Sequence, residues 1–293
     1  MDAADHAWLE AALDEWQAVE IRELGRAAAP LPEVIAIDAD CTYAIRSGDF
    51  SAMTAMPHGE TITLPTGEEA PLGPIAFASG GDAFVMSLPS VWRAAGVDSE
   101  FGLERLMTGV LLHEIMHVKQ TALLAIALDP TLAAHEGLED SLSDDLLQES
   151  LQRNAGYVAA YETERDLLYA AAAAASDEEA GRFAAEALEA MRSRRARFFT
   201  GEQAHFTELD DVFLTMEGMG QWLIYRYFRS PEGGGASEAQ AVAGVRRGRR
   251  WWTQDEGLAL ILVIDRLLPG WQERASRDPD WRAERLLAAA VER

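Results

Sequence analysis

Residues 104–128, ERLMTGVLLHEIMHVKQTALLAIAL, narrow the possibilities for this chain more than any other stretch. The run has no proline and a single glycine, and its apolar side chains recur around most of a helical wheel. It therefore predicts a long helix buried over most of its circumference. Asp129-Pro130 is expected to end it, because proline lacks the amide and disfavours helical backbone in the residue before it. Within the run stand two histidines, His113 and His117, with Glu114 between them. Four residues apart on a helix, the two rings stack on one face. A lone buried histidine is ordinarily a satisfied core residue, but a second one a turn away adds a desolvation cost that a bound cation offsets. Two neutral rings can take two corners of a tetrahedral zinc ion. Glu114 then stands beside the remaining position, where a carboxylate can take a proton from water.

Composition limits the partners. Acidic residues exceed basic ones by 49 to 25, a formal charge of −24, which opposes binding to nucleic acid or to an anionic membrane surface. The one cysteine, Cys41, excludes an intramolecular disulfide and a multi-cysteine zinc site, and reads as a small core residue. A chain of 293 residues can bury a substantial core as one large domain or as two lobes. The opening MDAADHAWLEAALDEW lacks the basic start and apolar core of a leader, and no run is expected to be long and apolar enough to span a bilayer. A cytoplasmic location is the default expectation.

Residues 4–28 read as an amphipathic helix, with Trp8, Leu9, Leu13, Trp16 and Ile21 near helical spacing, stopped by Pro30 and Pro32. Runs at 33–46, 61–64, 74–79 and 83–88 favour strands. Ser47-Gly48-Asp49, Pro65-Thr66-Gly67 and Gly80-Gly81-Asp82 separate them, which predicts tight turns in a small antiparallel sheet. Helical periodicity follows, with helices expected at 89–95, 99–128, 142–152, 155–175, 177–198, 206–229, 254–267 and 280–291. The expected fold class is mainly α with a small antiparallel β-sheet. Arginine clusters at 192–197 and 246–250 read as partners for the chain's own carboxylates rather than as a clamp for an anion. PEGGGAS at 231–237 reads as a surface loop, with a lid as the functional alternative.

A catalytic zinc needs a third protein ligand and an open position. A histidine six residues beyond His117 would supply one, but Leu123 occupies that place, and Cys41 lies in an Asp-Cys-Thr context unlike a ligand motif. Glutamates on later segments remain. Glu136 and Glu139 sit in a turn-rich stretch and are the reserve candidates. Glu217 is better placed, because FLTMEGMGQW surrounds one acid with apolar and small residues. A carboxylate buried there is costly unless a cation compensates it. Gly218 and Gly220 would let its helix approach the His-bearing helix closely, and the competing expectation is an ion pair with Arg226 or another base. Tyr225, Tyr227 and His205 are chemically suited to stabilising an oxyanion, and equally to structural roles. Glu162, Glu164, Asp144 and Asp145 suit either the orientation of ligating imidazoles or ordinary helix surface.

Taken together, HEIMHVKQ, YETERDLLYAAA, the arginine-rich helix, FTELDDVFLTMEGMGQWLIYRY and EGLALILVIDRLLPGW resemble a bacterial group with a gluzincin-type zinc peptidase signature, over residues 84–272. Its most specific parts, HExxH and the later Glu-Gly pair, fall on His113, Glu114, His117 and Glu217. The resemblance implies a zincin-like two-lobed metallopeptidase architecture. Residues 1–128 would form an N-terminal lobe with the sheet and the HExxH helix, and 129–293 a helical C-terminal lobe supplying the third ligand. It also implies an edge strand, at 83–88, that aligns a peptide by main-chain pairing. The expected function is that of a zinc-dependent hydrolase acting on a peptide or protein substrate, with Zn2+ on His113, His117 and Glu217 and with Glu114 as general base. The alternatives are a helical scaffold that binds metal or peptide without turnover, and a helical interaction protein without metal.

Overall fold

A computed structural model describes residues 1–27, 29–64, 67, 69–79, 83–246 and 250–293. Of the features expected above, turn residues Pro65, Thr66, Gly80, Gly81 and Asp82, and Arg247, Gly248 and Arg249 of the second arginine cluster, lie outside the described residues. The chain opens with α1 (Ala3–Arg22), β1 (Glu33–Ile37), β2 (Cys41–Ile45), β3 (Thr54–Pro57), β4 (Thr61–Thr63), β5 (Glu69–Pro71), β6 (Ala76–Ser79) and β7 (Ala83–Ser87). Helices follow: α2 (Pro89–Ala94), α3 (Leu103–Ala134), α4 (Leu146–Leu151), α5 (Ala155–Ala172), α6 (Asp177–Phe198), α7 (Phe206–Arg229), α8 (Glu238–Arg246), α9 (Trp252–Leu267), α10 (Trp271–Arg277) and α11 (Ala283–Val291). The fold is mainly α with a small β component, as expected. Strands β3 and β5 and helices α8 and α10 come from short stretches whose periodicity does not single them out. Two compact units divide the chain: Met1–Thr121 with Leu223–Val245, and Ala122–Trp222 with Arg246–Arg293.

In the first unit a five-stranded sheet has the order β3-β2-β1-β7-β6, and β4 and β5 form a separate pair. The sheet is mixed, not antiparallel. β1 runs parallel to β7, with Val34 opposite Phe84 and Ala36 opposite Met86, while the other neighbours are antiparallel. The chain folds back through β2 and β3, passes the β4-β5 pair, and returns through β6 to the far side of β1, so that β7 arrives in the direction of β1. Alternation along the strands sorts the side chains. Ile35, Ile37, Phe77 and Val85 gather with Ile62, Leu64 and Ala70 of the β4-β5 pair. Val34, Ala36, Phe84 and Met86 take the opposite face and are at most 1% exposed. β7 is thus interior and β6 is the edge strand, which corrects the edge position expected for 83–88. Two comparable apolar runs lie side by side in the sequence, and only their pairing decides which is outermost.

Helix α1 is capped by Asp2, which accepts from the amides of Ala4 and Asp5, and it buries Leu9, Leu13 and Trp16. Its Trp8 Nε1 donates to the Glu104 carbonyl at 3.1 Å and to Thr108 Oγ1 at 3.2 Å on α3. Further along α3, Gly109 lies so close to Ile224 of α7 that a Cβ on it would stand 2.9 Å from Ile224 Cγ2.

Helix α3 runs past Pro130 to Ala134, beyond the stop expected at Asp129-Pro130. Ala127 and Leu128 before the proline, and Leu132 after it, pack into one apolar cluster with Leu147, Leu151, Tyr161 and Phe213. That burial outweighs one forgone backbone bond. α3 also holds an 18-residue window of mean hydropathy 1.2, long and apolar enough by composition to cross a membrane, contrary to the expectation that no run qualifies. Half of that window is buried inside the protein, as befits a core helix.

In the second unit α5, α6, α9 and α11 pack on one another. Asn154 caps α5 and Ser176 caps α6, each accepting from amides of the first turn. Between them lies a buried ion network. Arg194 donates to Glu164 Oε2 at 2.6 Å and Oε1 at 3.0 Å, to Asp210 Oδ2 at 3.0 Å and to the Tyr157 hydroxyl at 3.0 Å. Arg195 donates to Asp210 Oδ2 at 2.9 Å and reaches Asp211 and Glu284. Arg192, Arg194 and Arg195 of the first arginine cluster are therefore partnered by the chain's own carboxylates, as expected. Burial alone would raise the Asp210 carboxyl, but Arg194 and Arg195 hold it below its usual range. Glu256 of α9 goes the other way. Burial, then the neighbouring Glu164 carboxylate, push it well above the usual range against the attraction of Arg194. It is thus the protonated partner in its hydrogen bond with Glu164. One residue on, Gly257 meets Gly218 of α7 backbone to backbone: a Cβ on Gly257 would lie 2.7 Å from the Gly218 nitrogen.

A carboxyl whose folded-state pKa is raised adds stability that is complete below its unfolded value and is lost as pH climbs through the folded value. Glu256→Gln keeps a donor for Glu164 and removes the titration. Denaturant unfolding should therefore show the variant more stable relative to the wild type at pH 8 than at pH 5. An identical difference at both pH values would contradict the protonated assignment.

Candidate metal centre

His113, Glu114 and His117 lie within α3, and Glu217 lies within α7. Gly109 of α3 approaches Ile224 of α7 closely. One turn on from Gly109, α3 reaches His113; two turns back from Ile224, α7 reaches Glu217. One ligand atom each from His113, His117 and Glu217 lies within 4.8 Å of the others, and among the described residues no other group of three or more His, Cys, Asp or Glu does so. The two Nε2 atoms are 2.7 Å apart, with the rings edge to face and their centroids separated by 4.3 Å. His113 and Glu217 are buried, at 5% and 2% exposure, and His117 is half-buried.

These residues fit a metal ion. Donors about 2.1 Å from a tetrahedral centre stand about 3.4 Å apart, a spacing between the 2.7 Å of the imidazole pair and the 4.8 Å limit of the set. Two imidazoles with one carboxylate form a donor set suited to divalent transition metals. Gln120 completes one side: its Oε1 lies 3.3 Å from His117 Nδ1. With Nδ1 donating there, Nε2 keeps its lone pair for the cluster, the tautomer a ligand requires. Glu114 is placed by β6, whose Ala78 amide donates to Glu114 Oε2 at 3.1 Å. Asp145, just before α4, has its carboxyl raised by burial and then by the charges of Glu217 and Glu149.

Other sequence candidates fall elsewhere. Glu136 and Glu139 are exposed and outside the cluster. Arg226, the competing partner for Glu217, donates through Nε to Glu23 Oε2 at 2.8 Å. Glu164 belongs to the Arg194 network, and Glu162 is exposed. The Tyr225 hydroxyl accepts from Arg229, Tyr227 is hydrogen-bonded to Thr108, and the His205 ring packs 4.4 Å from that of His135. Gly233 in the 231–237 loop is buried against the end of α7, at the Tyr227 carbonyl. Two contributors escape the motif. Gln120 is legible in hindsight, since it follows His117 by three residues on one helix face. Ala78 leaves no sequence signal, because a main-chain amide acquires its role only through strand order.

Comparison with family models, with curated proteins and with solved structures finds no match for the chain. What the structure does bring together is a possible metal site, a His-x3-His pair with a later glutamate.

Metal analysis after zinc supplementation and desalting should find about one equivalent in the wild type and under about a tenth in His113→Ala or Glu217→Ala. Gln120→Ala should keep the site but weaken zinc affinity about 10- to 100-fold. Equal zinc content in wild type and Glu217→Ala would remove Glu217 from the ligand set.

Proposed function

We propose that the protein is a zinc-dependent hydrolase acting on amide bonds of peptides or proteins. The observation that carries this reading is the placement of Glu114 between two imidazoles whose ligand atoms cluster with that of Glu217. His113, His117 and Glu217 would hold the ion. When bound, zinc supplies Lewis acidity that lowers the pKa of water toward about 7 and polarises a carbonyl.

The remaining steps belong to the chain's own groups. Glu114 takes a proton from the attacking water as the water oxygen bonds to the carbonyl carbon, then delivers that proton to the nitrogen as the C–N bond breaks. Gln120 keeps His117 in the ligating tautomer. The edge of β6, which no strand pairs with among the described residues, offers main-chain groups for aligning an extended peptide.

Glu114→Gln preserves size and removes the proton acceptor. It should retain zinc and lose hydrolysis of an unfolded protein substrate by at least about 100-fold. Zinc-loaded wild type and variant that behave alike would favour a scaffold that binds metal or peptide without turnover.

A further inference from the structure

One edge of β6 pairs with β7, and among the described residues no strand pairs with the other. The Ser87 amide donates to the Ile75 carbonyl at 3.0 Å, and Phe77 lies opposite Val85 and Ala78 opposite Phe84. Antiparallel ladders alternate, so this phase assigns the bonds toward β7 to residues 77 and 79 and turns the amides and carbonyls of Ala76 and Ala78 to the open edge. The outward amide of Ala78 is already engaged: it donates to Glu114 Oε2 at 3.1 Å. An open edge is a template for another extended chain. A strand added to β6 would need the same amide that Glu114 holds, and one N–H cannot serve two acceptors with good geometry.

We propose that the Ala78 amide is a latch on Glu114, closed while the edge of β6 is free and released by an extended polypeptide that pairs with that edge. The latch rests on the hydrolase reading and adds regulation to the same site. Closed, it ties one oxygen of the carboxylate that must move the proton. Opened, it frees that oxygen when a substrate backbone lies along Ala76 and Ala78. The ligand selected is a segment long enough to pair with both residues. A blocked dipeptide forms no strand and leaves the latch closed.

Amide-resolved hydrogen exchange on the full chain, without metal or substrate, reads the contact itself. Glu114→Ala should speed exchange at Ala78 about tenfold or more, while Phe77 and Ser79, bonded toward β7, keep their rates. Unchanged exchange at Ala78 overturns the proposal.

Zinc-loaded wild type and Ala78→Pro are then compared on carboxymethylated casein and on a blocked dipeptide. Proline removes the donor at an outward edge position, where it is tolerated. The variant should cleave the dipeptide several-fold faster, and its preference for casein should fall about tenfold, the equivalent of one hydrogen bond. Unchanged rates on both substrates overturn the latch. If neither protein cleaves either substrate while Ala78 exchange still responds to Glu114→Ala, the hydrolase reading fails and its regulation with it, and only the contact stands.

Discussion

Two imidazoles and a carboxylate brought together where α3 and α7 are otherwise apolar impose the constraint that organises the local sequence. Each such group loses hydration on burial, and the loss is tolerated only where charge, hydrogen bonds or an ion compensate it. His113 and Glu217 are among the few polar side chains buried on these helices. Around them the chain supplies residues that orient rather than fill: Gln120 toward one His117 nitrogen, and the Ala78 amide toward Glu114. A divalent ion satisfies all three donors at once, which a single hydrogen-bond donor cannot do.

Holding such a cluster depends on how closely backbones approach, and glycine decides this at two places. Gly109 lets α3 come against Ile224 of α7, and Gly218, next to Glu217, meets Gly257 of α9 with no side chain between. The second contact sits beside the buried Glu256–Glu164 pair and the Arg194 network. Such networks fix an arrangement more than they add net stability, because each buried charge first loses its hydration.

Much of this is written locally. The apolar run around His113 and His117, and the single acid in FLTMEGMGQW, are visible because burial and ionisable chemistry conflict within a few residues, and they identify the same three side chains that the structure brings together. Helices α6 and α7 are legible to the residue from periodicity. What escapes the sequence is set at long range. Pro130 stops no helix, because Leu128 and Leu132 on either side of it pack into one apolar cluster. Strand 83–88 is interior, because β6 pairs outside it. Ala78 is indistinguishable from any other alanine until strand order brings its amide to Glu114. Asp145 stands in the sequence as one of four acids suited to either role, and only the fold sets it apart, its carboxyl being raised by burial and then by the charges of Glu217 and Glu149.

The central claim is that His113, His117 and Glu217 hold one divalent ion. Zinc K-edge X-ray absorption of the zinc-loaded protein tests it most directly. The claim predicts two imidazole nitrogens at about 2.0–2.1 Å, with oxygen completing the shell and no sulfur. An all-oxygen shell without imidazole scattering, or zinc that washes away on desalting, would contradict it.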